Sequence, residues 1–338
     1  MEIDIESYFS LKDVLTIDMR TKEEYKSSHI LNAINFEILN HEERKEVSIL
    51  YNKKKIEEAY LKAYEYSILK LPKLFKIIKK NKNRKIVFYC SRGGSRSTIV
   101  YEVFRNLKGI EIYKLSGGYK SFRRYVNEYF EKSLNKFDFR VLHGNYGSSI
   151  DELLNYLSEL KLSTFNFNEI DNNISQKQLD NILFDKLFYL NENIIYIGNE
   201  NKEFSNAFIR KELIDKFRRS KHILLKDSID LRIENIYNKD FVNISEEFLN
   251  NFIYKIKKMN KIIGNNLVNE IIDDLSNENY KNAIKKLVIN YYDKIYKKEI
   301  LEYESYYKIY EFNTVNELFK NWSVLWKFIL KHWDVQRT

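Results

Sequence analysis

The chain has 338 residues, 44% of them hydrophobic and 31% charged, a length that predicts two domains and a balance that excludes a disordered chain and a coiled coil. Its 57 Lys and Arg outnumber 48 Asp and Glu for a net charge of +9, which disposes the surface towards a polyanion such as nucleic acid. The single cysteine, Cys90, excludes an internal disulfide framework and a multi-thiolate zinc site, and no metal site is predicted.

Met1–Ser10 carries Glu2, Asp4 and Glu6 where a secretory leader would be basic and apolar, and the apolar runs Ile86–Cys90 and Ile194–Ile197 are far short of the ~20 residues that span a bilayer. A soluble, cytoplasmic chain with no membrane partner is expected. The pattern then reads as a strand at 13–18, a helix at 21–27, a strand at 33–36, a long helical stretch from His41 to Lys80, a strand at 85–89, a helix at 97–107 and a strand at 110–115. Strands alternating with helices imply an α/β unit with a parallel sheet. After Gly117-Gly118 a helical stretch runs to about Asn135, and the domain boundary is placed near 134–138. A second unit is read from strands at 139–142, 194–197 and 222–225 with helices at 150–160 and 204–219, followed after 245 by a helical, basic region.

The feature richest in chemistry is Ile86-Val87-Phe88-Tyr89-Cys90-Ser91-Arg92-Gly93-Gly94-Ser95-Arg96-Ser97. An apolar strand runs into a cysteine, a glycine turn, two arginines and a helix. Glycines let successive N–H groups point inward, the helix N-terminus adds partial positive charge, and Arg92 and Arg96 add full charge. The result is an anion cradle of Ser91, Arg92, Gly93, Gly94, Ser95 and Arg96, with Cys90 at its mouth as a thiolate nucleophile. A buried cysteine acting as a small hydrophobe is the plainer reading, but it explains neither the glycines nor the arginines. Cys90 and Arg96 also have the Cys-x5-Arg spacing of phosphatase loops, so the chemistry alone permits attack on phosphorus or carriage of sulfur or selenium.

Asp18-Met19-Arg20, Glu24-Tyr25, His29-Ile30-Leu31-Asn32-Ala33-Ile34-Asn35 and the Cys90 loop follow in the order of a rhodanese domain. With Asn40-His41-Glu42-Glu43-Arg44, Val47, Tyr51 and Gly117-Gly118-Tyr119-Lys120-Ser121-Phe122-Arg123, they resemble the tRNA 2-selenouridine synthases, which join a rhodanese domain to a P-loop-like domain. The match is dense over 10–125 and thin beyond. The resemblance implies replacement of the sulfur of wobble 2-thiouridine in tRNA by selenium from selenophosphate, through an S-geranyl intermediate made from geranyl diphosphate, with the selenium step resting on Cys90. It implies tRNA and selenophosphate synthetase as partners and no tightly bound cofactor. Asp18 and His29 match rhodanese positions and read as structural.

His143-Gly144-Asn145-Tyr146-Gly147-Ser148-Ser149-Ile150-Asp151 stands where that family has its phosphate loop. Gly144, Gly147, Ser148 and Ser149 remain for a weak anion site, but Ile150 replaces the lysine and Asp151 the hydroxyl that hold nucleotide phosphates and Mg²⁺. Lys202 and Arg232 are the cations that could compensate. Glu200, Asp227 and Tyr291-Tyr292-Asp293-Lys294-Ile295-Tyr296 match the family in part. Trp322, Trp326, Ile329 and Trp333 recur at helical spacing and predict a packed C-terminal helix.

The expected architecture is a rhodanese-like α/β domain over 8–133 and a degenerate P-loop-like α/β domain, helical towards its C-terminus, over 138–338, whose Lys and Arg are expected to supply most of the tRNA contacts. The expected activity is that of a tRNA 2-selenouridine synthase. The alternatives are a rhodanese-type sulfurtransferase without selenium, and a non-catalytic tRNA-binding subunit of a split system.

Overall fold

The computed structural model describes residues 1–190, 192–198 and 204–296, and the backbone of 308–312. Contacts divide the chain into two compact units. The first comprises Met1–Lys136, Asp171–Asn191 and Glu203–Ile214. It begins with β1 (Glu2–Ile3), α1 (Ile5–Ser10), β2 (Val14–Asp18), α2 (Lys22–Ser27) and β3 (Ile34–Asn35). Three helices follow, α3 (His41–Asn52), α4 (Ile56–Ile68) and α5 (Leu71–Lys80), and then β4 (Lys85–Tyr89), α6 (Ser95–Phe104), β5 (Ile112–Leu115) and α7 (Gly118–Lys132). The strands pair in the order β1-β5-β4-β2-β3, all parallel. Parallel sheets are covered on both faces, and β4 has the composition this demands: Ile86, Val87, Phe88 and Tyr89 are fully buried.

The helical stretch read as continuous from His41 to Lys80 is broken twice. Lys54 takes a left-handed φ of 59° after α3, and Pro72 sits in the first turn of α5, where its missing N–H costs nothing. Leu71, Leu74 and Ile78 of α5 join Val47, Ala59 and Ala63 under the sheet, in the core that also holds Cys90.

The second unit comprises Phe137–Ile170, Glu192–Lys202 and Asp215–Thr338. Its β6 (Asp138–Gly144) leads through a short loop into α8 (Ile150–Glu159), followed by β7 (Thr164–Asn166). Next in the chain come α9 (Gln176–Phe188), β8 (Ile194–Gly198), α10 (Lys211–Arg218), β9 (Lys221–Asp227) and α11 (Ile229–Asp240). The helical region holds α12 (Glu246–Lys258), α13 (Asn260–Ile263), α14 (Asn265–Ser276) and α15 (Tyr280–Leu287), which packs with α11 around Ile256, Ile271, Leu275 and Ile284. With β10 (Lys308–Phe312) the sheet order is β10-β9-β6-β8-β7, again all parallel. The chain moves from β6 to β7 and β8 on one side and then to β9 on the other. The loop after β6 therefore lies at the switch point, where open α/β sheets place ligands.

Two departures from the sequence reading stand out. Only Lys211–Arg218 of the stretch read as a helix over 204–219 is helical, because Phe204, Ala207 and Ile209 are buried from non-helical backbone. Helix α9, which the reading passed over, packs in the first unit: Arg123 of α7 donates to the Lys177 carbonyl and to the Asn181 and Asp180 side chains, and Phe184 and Phe188 join Phe9, Phe122 and Tyr125. Its N-terminus was legible, since Ser175 caps the amide of Gln178 three residues on. The tryptophans at 322, 326 and 333, together with Glu200 and Lys202, lie outside the described residues.

Candidate active site

Strand β4 delivers Cys90 to the carboxyl end of the first sheet, and neighbouring elements fix that end. The Met19 N–H donates to the Tyr89 carbonyl at 2.8 Å, and the Tyr89 hydroxyl donates to Asp18 at 2.6 Å. Asp18 also accepts from the Arg20 amide and guanidinium, whose plane lies 4.0 Å from the Tyr119 ring centre. Asp18 is thus a buried brace, as read. His29 stacks on Tyr25 while its backbone is held by Gln178 and Asn181 of α9, which makes it a turn residue. Burial and the Asp18 charge push the Tyr89 hydroxyl well above its usual range, so it stays a neutral donor.

The turn after Cys90 is templated by the start of α7. Its first N–H groups have no intrahelical partner; those of Tyr119 and Lys120 donate to the carbonyls of Cys90 and Ser91 at 2.8 and 2.9 Å. This close approach requires glycine at 118, where a Cβ would lie 2.2 Å from the Cys90 carbonyl oxygen, and at 93, where φ is +68° and a Cβ would lie 2.9 Å from the Gly117 nitrogen.

Cys90 is 3% exposed, with its sulfur 3.2 Å from the Ser97 hydroxyl and 3.7 Å from the Gly94 carbonyl. The hydroxyl is the natural donor to a thiolate at that distance. Helix α6 starts at Ser95 behind Gly94 without a side-chain cap, which leaves its first-turn N–H groups directed at whatever anion enters the loop.

The two arginines do different work. Arg96 is buried and bonds Glu24 at 2.6 Å and the Ser91 hydroxyl at 2.8 Å, while Ser91 itself donates to Glu24 at 2.7 Å. Arg96 is therefore the rivet that ties the loop to α2. Arg92 is exposed and makes no ion pair with a described residue, so its charge is available to an incoming anion. Glu24 has no role that the rhodanese resemblance alone assigns. The signal for one was its place in a Thr21-x-x-Glu24 capping box, which pins the carboxylate at the start of α2.

Burial pushes the Glu24 carboxyl up, but the bond and charge of Arg96 with the Ser91 hydroxyl and Thr21 amide outweigh it and hold the group at about 2, below its ordinary 4.5. A depressed carboxyl gives stability that is fully present above pH 4.5 and is lost as pH falls from there towards 2. Melting temperature should therefore drop through that window in the wild type and drop less in Glu24→Gln. At neutral pH the variant should be about 2 kcal/mol less stable, a figure reduced from the fully buried case because Glu24 keeps 21% side-chain exposure. Equal acid sensitivity of the two proteins would remove this pair from the loop's support.

In the second unit the loop from Gly144 to Ser149 keeps the course of a phosphate loop and uses its groups internally. Ile150 is buried among Leu142, Leu153, Leu154 and Tyr196, and a Cβ on Gly198 would lie 2.5 Å from it. Asp151 accepts from Asn166, Asn168 and Lys239 at 2.8, 3.2 and 2.8 Å; these outweigh its burial and hold it below the usual carboxylate range. The Ser149 N–H donates to Asp227 at 2.6 Å, and the Gly147 carbonyl and Ser149 hydroxyl accept from Asn235. Ser148 folds back against Gly144. Arg232 gives one N–H to the Tyr146 carbonyl and pairs with Asp293, and Tyr146 stacks on Tyr292 at 4.0 Å. Asp227, Arg232, Tyr292 and Asp293, scattered in sequence, thus converge on one loop, with carboxylates where a phosphate loop presents cations.

Residues 5–125 match the family model of the rhodanese-like domain. A curated tRNA 2-selenouridine synthase of Sulfurovum sp. (strain NBC37-1) is 24% identical over 86% of this chain and 90% of its own length. The enzyme of that name from Nitrosomonas europaea is 22% identical over 85% of this chain and 89% of its own, and that of Hydrogenovibrio crunogenus is 34% identical over 36% of this chain and 34% of its own. Among solved structures, an N-terminal domain from Clostridium difficile 630 is 35% identical over 37% of this chain and 98% of its own, with a TM-score of 0.36. The likeness at full length reaches across both units, so the chain is similar to the tRNA 2-selenouridine synthases over 85 to 86% of its length and to the rhodanese-like domain over residues 5–125.

Proposed function

We propose that this chain replaces the sulfur of 2-thiouridine in tRNA by selenium, with Cys90 of the rhodanese-like domain in the selenium step. The observation that carries the reading is the Cys90 loop. One thiol, hydrogen-bonded by Ser97, stands at an uncapped helix N-terminus beside the exposed Arg92, in a turn shaped by Gly93 and Gly118. Such a site offers donors to the sulfur and to a small oxyanion held next to it, which suits selenophosphate, a phosphate analogue with selenium in place of one oxygen on phosphorus. Selenophosphate synthetase is the source of that donor, and tRNA and donor meet in the cytoplasm.

The loop at 144–149 enters this proposal as a packed turn. Its Ser149 amide is bonded to Asp227, and Arg232 is spent on Asp293 and Tyr146, so geranyl diphosphate is not assigned to it. Among the described residues no helix is long and apolar enough to cross a membrane.

Expression of the chain in a bacterial strain that makes selenophosphate but lacks its own synthase tests the reading. Mass spectrometry of digested tRNA should show 2-selenouridine where the empty strain shows only 2-thiouridine. If the strain gains no selenonucleoside while the protein is folded and abundant, the chain does not perform the exchange alone.

A further inference from the structure

The first unit carries a surface that the Cys90 site does not use. Between Glu65 and Glu102 the sequence contains no acid, and α5 with the turn behind it presents Lys73, Lys76, Lys79, Lys80, Lys82 and Arg84, all exposed. The helix is divided by its periodicity. Leu71, Leu74 and Ile78 face the core, which leaves the lysines at three- and four-residue spacing on the outer side, neighbours ~5 to 6 Å apart. From Lys73 to Lys80 the row runs for roughly 10 Å along the helix axis.

The plain account of such lysines is a solvated face, with cations in the last turn favoured by the helix dipole. That covers Lys79 and Lys80. It does not cover Lys73, which lies in the first turn, where a cation opposes the dipole and the helix has no acid. Nor does it explain why no acid balances the row: among the described residues Lys73, Lys76, Lys79, Lys80 and Lys82 enter no salt bridge, and Arg84 gives its N–H to the Val14 carbonyl. Some lysines of the second unit differ. Lys239, Lys281 and Lys286 are each paired with a carboxylate, and α12 carries Glu246 and Glu247 in its first turn as well as lysines in its last. Unbalanced charge repels itself, and it is relieved when an anion arrives.

We infer that the outer face of α5 and the following turn form the surface on which the phosphate backbone of the RNA substrate docks. The inference rests on the proposed tRNA activity for its partner and adds where that partner is held. Lysines serve here as point charges that position a backbone and read no sequence. The turn after α5 enters the amino end of β4, whose residues Lys85–Tyr89 span ~16 Å and lead to Cys90 beyond the carboxyl end, so the charged face and the thiol are tied to one strand. RNA lying along α5 is thus on the same rigid unit as the thiol.

The test compares the full-length wild type with Lys73→Gln/Lys76→Gln/Lys79→Gln/Lys80→Gln by filter binding of one purified tRNA at several salt concentrations. Each phosphate contact contributes ~0.7 to 0.9 to the slope of log affinity against log salt. The variant should therefore bind on the order of tenfold more weakly or worse at low salt, with a slope shallower by about 3. Its melting temperature and the rate at which iodoacetamide alkylates Cys90 should match the wild type, since neither depends on RNA. A wild type that binds with a steep slope and a variant that binds identically would overturn the α5 surface and leave the proposed activity standing. A wild type that fails to bind tRNA at all would overturn both. Binding to phosphatidylglycerol vesicles in place of tRNA, lost in the variant, would make the face a membrane contact and overturn the assignment to RNA.

Discussion

Cys90→Ser will reduce 2-selenouridine in the tRNA of the complemented strain to the background of the empty strain, while the protein melts within a degree or two of the wild type. The two halves of that expectation have separate causes. A serine hydroxyl fits the space of the thiol and can keep the contacts with Ser97 and the Gly94 carbonyl, weak bonds whose alteration changes stability by less than about 1 kcal/mol. Chemistry is different. A hydroxyl at neutral pH is neither an anion nor a soft nucleophile, and it cannot hold selenium as a thiolate does. As Cys90 is the only cysteine, no second thiol can stand in for it. Undiminished 2-selenouridine in the variant would take the rhodanese-like domain out of the selenium step and leave the anion loop as a binding element alone.

The active loop could be read from the sequence because its function is local. Cys90, the glycines and the arginines lie within one turn, and the strand before it is apolar throughout because a central parallel strand is buried on both faces. What could not be read was how the charges would be spent. Arg92 and Arg96 look equivalent in a motif, yet one pairs with Glu24, 72 residues away, and the other stays exposed. The second unit shows the same limit from the other side. The losses at Ile150 and Asp151 were legible, but not that Lys239 neutralises Asp151 or that Asp227 lies at the Ser149 amide. Those partners come from helices and strands far along the chain, and only the sheet topology brings them together. Helix boundaries failed where a single residue decides them. Lys54 ends a helix by adopting positive φ, a choice that lysine makes rarely and that periodicity cannot show.

Gly118→Ala should be the most damaging one-methyl change in the first unit, and Gly94→Ala, four residues beyond Cys90, one of the mildest. At 118 the new Cβ would stand 2.2 Å from the Cys90 carbonyl oxygen, 2.6 Å from the Gly93 nitrogen and 3.1 Å from the Arg92 nitrogen. All three are backbone atoms, so no side chain can swing away, and either the Cys90 turn or the start of α7 has to move. The φ of +55° adds a left-handed penalty of ~1 to 2 kcal/mol for alanine, and overpacking typically adds ~1 to 3 more. A loss of about 2 to 5 kcal/mol would lower the melting temperature of a unit this size by roughly 5 to 15 °C. The movement would also break the bonds from the Tyr119 and Lys120 amides that set the height of Cys90 above the sheet, so selenium incorporation should fall even at temperatures where the variant is folded. At 94 the φ is −89° and a Cβ meets nothing within 4 Å. Its melting temperature should be unchanged within about 1 kcal/mol of stability, and any loss of activity there would report a methyl group standing in the path of the anion that the loop receives. Should both variants melt like the wild type, the turn would be free to slide along α7, and the account of Gly118 as its template would fail.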